Sequence, residues 1–158
     1  MIEQIALGDT ILESTKEVFE TMIFMDVEKA SDSYIEGEAV LSSITFTGDI
    51  EGCMSFCCGV DCAKLIAKNM LGMEPEDEIE LSDVSDAMGE VTNMVVGSIK
   101  GKVQESLGNM ELSIPSVVKG HDLEESMGDG EIRESVTINI QDSCTAVLLF
   151  ICKKDNKS

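Results

Sequence analysis

Between Leu81 and Leu107 apolar residues return every three or four positions. On a wheel turning roughly 100° per residue, Val84, Met88, Val91, Val95 and Ile99 share one side. Asp86, Glu90, Asn93 and Gly97 gather within about 60° of one another on the opposite side. The pattern predicts one amphipathic helix, with Ser82 at its N-cap. Upstream, Ile11, Thr15, Val18, Met22 and Met25 predict another helix over residues 2–25, weakened only at Gly8. From Ile35 the period shortens. Val40, Ile44 and Phe46 alternate with polar or small residues, Thr47-Gly48-Asp49 supplies a turn, and Met54, Phe56 and Cys58 alternate again, which predicts a hairpin.

The remaining segments complete the outline. Asp61 is placed to cap a helix that runs to Leu71 and stops at Gly72. Glu74 to Glu80 forms an acidic connector. Leu112 to Lys119 reads as a strand interrupted at Pro115, hence an edge or a bend. A polar loop is expected from His121 to Glu131, followed by a second hairpin of Ser135 to Ile140 and Cys144 to Cys152 around Gln141-Asp142-Ser143. This order of helix, hairpin, helix, long helix, strand and hairpin predicts an α+β fold, with helices on one face of an antiparallel sheet. Its 158 residues fit one domain over 1–152, with a short polar tail at 153–158.

Charge narrows the partners. With 31 acids against 11 bases the net charge is −20, which repels phosphate backbones and argues against nucleic acid. No apolar run approaches the ~20 residues of a membrane span, and MIEQIALGD lacks the features of a secretory leader. A cytoplasmic protein without membrane association is therefore expected. Cys53, Cys57, Cys58 and Cys62 cluster, but their spacing lacks the paired C-x2-C of zinc sites, and adjacent strand residues point to opposite faces. No metal centre is expected, and a chain with this much core does not need disulfides. The sole histidine, His121, reads as a solvated loop residue.

Glu90 and Asn93, three apart on one helix face, put a carboxylate beside a carboxamide. With Asp86 before them and Pro115 after, 21 residues lying between Asn93 and Pro115, they resemble the signature of the CheC/CheX/FliY family of response-regulator phosphatases. That signature is an Asp or Ser, three residues, Glu, two residues, Asn, and a proline some twenty-odd residues on. The flanks agree: the Phe46 to Gly52 turn, Ala63 to Ala67 leading into Met70-Leu71-Gly72, and Pro115 to Gly120. The resemblance spans roughly residues 2–152. Its CheC-type members carry two signature helices, whereas residues 2–25 here contain no E-x-x-N. One signature helix per chain resembles the CheX branch and implies a homodimer.

The resemblance implies hydrolysis of an aspartyl phosphate on a CheY-like response regulator. Asn93 would orient the attacking water and Glu90 would pair with a lysine of the regulator. Asp86, Met94 and Gly97 would face the partner, Asp86 by steering and Gly97 by leaving room for close approach. No cofactor is implied for this chain, because Mg²⁺ would be carried by the regulator. The alternative is a non-catalytic module of the same fold that binds a regulator.

Overall fold

A computed structural model of the protein describes residues 4–31, 35–121 and 132–154. Three helices pack on one face of a seven-stranded antiparallel sheet, as the α+β reading predicts. The first helix, α1, spans Gln4–Val18 and widens into a π-helical turn at Phe19–Ile23. The extra residue of that turn shifts the buried stripe. Leu7, Ile11, Thr15 and Val18 are buried, but Phe19 and Ile23 take over from Met22, which is 51% exposed. Phe24 then ends the helix in the left-handed region, at φ 64°. Ile2 lies outside the described residues.

The strands are β1 (Val27–Lys29), β2 (Glu38–Gly48), β3 (Ile50–Gly59), β4 (Met110–Leu112), β5 (Ser116–His121), β6 (Ile132–Ile140) and β7 (Cys144–Lys154). Their order is β1-β6-β7-β3-β2, with β4 and β5 sharing the far side of β2. The strand expected from Leu112 to Lys119 is thus two strands, broken where Pro115 cannot donate to a ladder. Both hairpins form. In the second, Gln141 and Asp142 have φ of 50° and 54°, and the Ser143 amide donates to the Ile140 carbonyl at 2.9 Å, a turn whose twist suits the flanking strands. β7 extends to Lys154, so it takes up two residues of the expected tail. β1 is too short to leave a period in the sequence.

Register sorts the sheet's two faces. Val40, Ile44, Phe46, Met54, Phe56, Cys58, Leu148 and Phe150 face the helices, with Phe19 stacked on Phe56 and Phe46 on Phe150 at centroid distances of 6.0 and 5.3 Å. Cys57 lies on the other face, half-buried, as adjacency to Cys58 requires.

Helix α2 runs Val60–Leu71 and stops at Gly72 in the left-handed conformation. Its N-cap is Gly59, not Asp61, which instead lies in the first turn near the positive end of the helix dipole. Helix α3 spans Leu81–Leu107, the predicted bounds, but Glu80 occupies the N-cap without a side-chain bond, and Ser82 lies inside the first turn. His121 is the last residue of β5, paired in register with Glu38, and not a loop residue. The following positions, 122–131, are outside the described residues.

One correction concerns the cysteines. Cys62 of α2 and Cys144 of β7 form a disulfide, with Cα atoms 5.8 Å apart. Their separation of 82 residues hides the pairing from the sequence, because only the packing of α2 over the sheet brings them together.

Candidate functional site

The apolar stripe of α3 decides which of its faces meets solvent. Val84, Met88, Val91, Val95, Ile99 and Val103 are buried, and Ala87, Gly89, Thr92 and Val96 widen the stripe. Thr92 fixes the rotation of the helix. Its Oγ1 donates to Ser42 Oγ of β2 at 2.8 Å, and it also approaches the Met88 carbonyl at 2.8 Å. Ser42 Oγ in turn lies 3.3 Å from the same carbonyl. All three groups are buried, so breaking this knot would leave polar atoms unpaired, at a cost of about 1–3 kcal/mol.

A second contact holds the same turn. Gly89 lies against the ring of Pro115, and a Cβ added there would stand 3.2 Å from Pro115 Cγ and 3.6 Å from Val117 Cγ2. The segment ahead of Pro115 is itself fixed: the Ser113 amide donates to the Thr45 carbonyl at 2.9 Å, and the Thr45 amide donates to Ser113 Oγ at 3.0 Å. Ile114, between Ser113 and Pro115, is 87% exposed. Farther along α3, the Lys102 ammonium reaches Glu17 at 2.8 Å and Ser14 at 3.1 Å, tying α3 to α1.

With Gly89 and Thr92 turned inward, Asp86, Glu90 and Asn93 are turned outward and exposed. Among the described residues none of these three side chains makes a hydrogen bond or ion pair, so their polar atoms are left to water or to a partner. Gly97 is exposed with nothing within 4 Å of where a Cβ would be. Met94 is half-buried and packs against the core, leaving only part of its side chain outward. Glu90 and Asn93 therefore stand on the convex outside of a helix. A group acted on there must be brought by something that presents a cleft of its own. Gly89, Thr92 and Ser42 were not among the candidates from the sequence; a glycine and a threonine on the inner side of an amphipathic helix were the available signal.

A family model described as chemotaxis phosphatase CheX matches residues 40–150. Among solved structures, the chemotaxis protein CheX of Vibrio vulnificus is 23% identical, with 97% of this chain and 100% of that one covered and a TM-score of 0.80. A putative chemotaxis protein of Desulfovibrio vulgaris Hildenborough is 24% identical over the same shares, also at 0.80. CheX of Borrelia burgdorferi, solved in a CheX-CheY-BeF3-Mg complex, is 16% identical over 98% of this chain and 100% of its own, at 0.73. No curated protein matches the chain.

Proposed function

The chain belongs to the CheX family of chemotaxis phosphatases, and on that footing we propose that it hydrolyses the aspartyl phosphate of a CheY-like response regulator with Glu90 and Asn93. The observation that carries this reading is the state of those two side chains: outward, without partners, and on a helix turn locked from beneath by Thr92 and Gly89. A polar pair left unsatisfied on a firmly seated helix turn is prepared for a partner.

Phosphoryl transfer through a loose transition state gains most from placing the nucleophile in line and stabilising charge. A carboxamide suits the first task. The Asn93 carbonyl oxygen accepts a hydrogen bond from the attacking water, while its NH2 donates one to a phosphoryl oxygen. Glu90 is poorly suited to act as a base beside an anionic phosphoryl group. It instead pairs with a lysine of the regulator, which fixes the docked helix in register. Asp86 adds negative charge that steers the same basic neighbourhood, Gly97 leaves space for the partner backbone, and Met94 contributes its outward portion at the rim. The regulator carries the Mg²⁺ and the phosphoryl group, and this chain supplies the geometry.

We assign the active form as a homodimer. β4 and β5 lie on the far side of β2, and among the described residues no strand pairs with their outer edge. That edge offers backbone groups to a second copy.

The deciding experiment is release of inorganic phosphate from phosphorylated CheY-like regulators, with and without the protein. Acceleration for at least one regulator is expected. Tight binding of a phosphorylated regulator without acceleration would replace the enzyme with a binding module.

A further inference from the structure

The disulfide partners occupy a place unrelated to the face of Glu90 and Asn93. Cys62 is the third residue of α2 and is 5% exposed, and Cys144 opens β7 and is half-buried. Their Cα separation of 5.8 Å falls in the middle of the range for a cystine. Both residues line an open cavity of about 920 Å³. The two residues of the bond thus border a space large enough to admit a small thiol.

The other four cysteines lie outside this bond, and their surroundings make them poor nucleophiles. Cys53, Cys58 and Cys152 are buried. Burial pushes the Cys57 and Cys58 thiols up, and the neighbouring Cys57 charge adds to the effect on Cys58. A thiol held protonated does not attack. Cys62, by contrast, lies in the first turn of α2, at the mouth of the cavity.

The charge of the cavity selects the reagent. Its wall carries the carboxylates of Glu36, Glu38 and Asp61 and the ammonium of Lys64, with the Lys119 ammonium 3.5 Å from Glu38, in a chain of net charge −20. An anionic thiol is disfavoured at such a wall.

We propose that Cys62 and Cys144 form a thiol–disulfide exchange site, served through this cavity by small neutral or cationic thiols and disulfides. In the oxidising direction one cysteine thiolate attacks a sulfur of the small disulfide. A mixed disulfide forms, and the expelled thiolate takes up the proton that the cysteine lost. The second cysteine then attacks the mixed disulfide, closing the Cys62–Cys144 bond and releasing a second small thiol. Two protein thiols are oxidised and one small disulfide is reduced to two thiols.

The test equilibrates the reduced, native full chain with cystamine, quenches with acid and alkylates after denaturation. Reduced protein should show six labelled cysteines and treated protein four, with peptide mapping giving the 62–144 link. Cystamine should react several times faster than oxidised glutathione, once each rate is divided by its rate with the unfolded chain, and added salt should narrow the difference. Cys62→Ser should leave Cys144 carrying a stable cystamine adduct. Six labelled cysteines after equilibration would overturn the site. So would a link that dithiothreitol opens only in denaturant, and equal normalised rates for the two disulfides would overturn the assigned reagent class.

Discussion

Pro115 lies against Gly89, so closely that a Cβ on the glycine would stand 3.2 Å from the proline Cγ. Glu90 follows Gly89 directly, so the contact that seats the helix also sets the position of the carboxylate. Gly89→Ala gains roughly 1 kcal/mol of helix propensity, and the tight contact offsets it, so a near-neutral change in stability is expected. Gly89→Leu cannot fit and should lose about 1–3 kcal/mol by overpacking, with slower dephosphorylation as the helix lifts from Pro115. Urea denaturation of both variants is the measurement. A leucine variant as stable as the parent would show that this contact does not seat the helix.

Asn93→Ala should leave folding intact, because the side chain is exposed and makes no bond within the chain. It should lower the rate of dephosphorylation by roughly 10²–10³, the effect of losing a few kcal/mol of transition-state stabilisation. An alanine variant that works at the parent rate on a regulator the parent dephosphorylates would remove Asn93 from the mechanism.

Glu90→Gln keeps the shape and loses the charge. Weaker complex formation is expected, together with a loss of the salt dependence that the parent complex should show. Titration of a beryllofluoride-loaded regulator at two ionic strengths measures both. Unchanged affinity and unchanged salt dependence in the glutamine variant would exclude the ion pair.

Light scattering at micromolar concentration should give about twice the 17.1 kDa chain mass. At −20 per chain the two copies repel, so backbone bonds and apolar contacts must hold them, and raising the salt should not dissociate the pair. A fully active monomer at every salt concentration would remove the dimer and leave the roles of Glu90 and Asn93 untouched.

Cys58 predicts a loss of stability at high pH. Burial, with the Cys57 charge behind it, holds its thiol protonated in the folded chain above its ordinary range. The unfolded chain loses that proton near pH ~8.5, so above this value it binds fewer protons than the folded one and stability falls as pH rises. Under reducing conditions the loss between pH 7 and 10 attributable to this thiol should be about 2 kcal/mol. Cys58→Ala should show a correspondingly shallower fall in its denaturation midpoint. An identical fall in both proteins would place the effect elsewhere.

The parts of this fold that were legible in the sequence are those governed by a local period. Helix α3 has the predicted ends because its stripe runs unbroken from Val84 to Val103, and the two hairpins follow from alternation and turn residues. The first helix was legible only as far as Val18, since the π-helical turn inserts a residue that no regular period contains and exposes Met22. The outward set of Asp86, Glu90 and Asn93 was legible by the same wheel. What seats it was not: Ser42 lies 50 positions from Thr92, and Pro115 meets Gly89 only through the path of β4 and β5. The Cys62–Cys144 bond was hidden for the same reason, since it depends on where α2 comes to rest.

The bond from Thr92 to Ser42 has a consequence for how a partner arrives. It anchors the middle of a long helix to the middle of β2, which is paired on both sides, so that backbone opening there requires loss of the surrounding core. The backbone of Glu90 and Asn93 thus has little order to gain on docking, and the conformational cost on this side is confined to their two side chains. Encounter should then proceed without a slow ordering step on this side, at a rate set by long-range charge and by the orientation of two rigid surfaces.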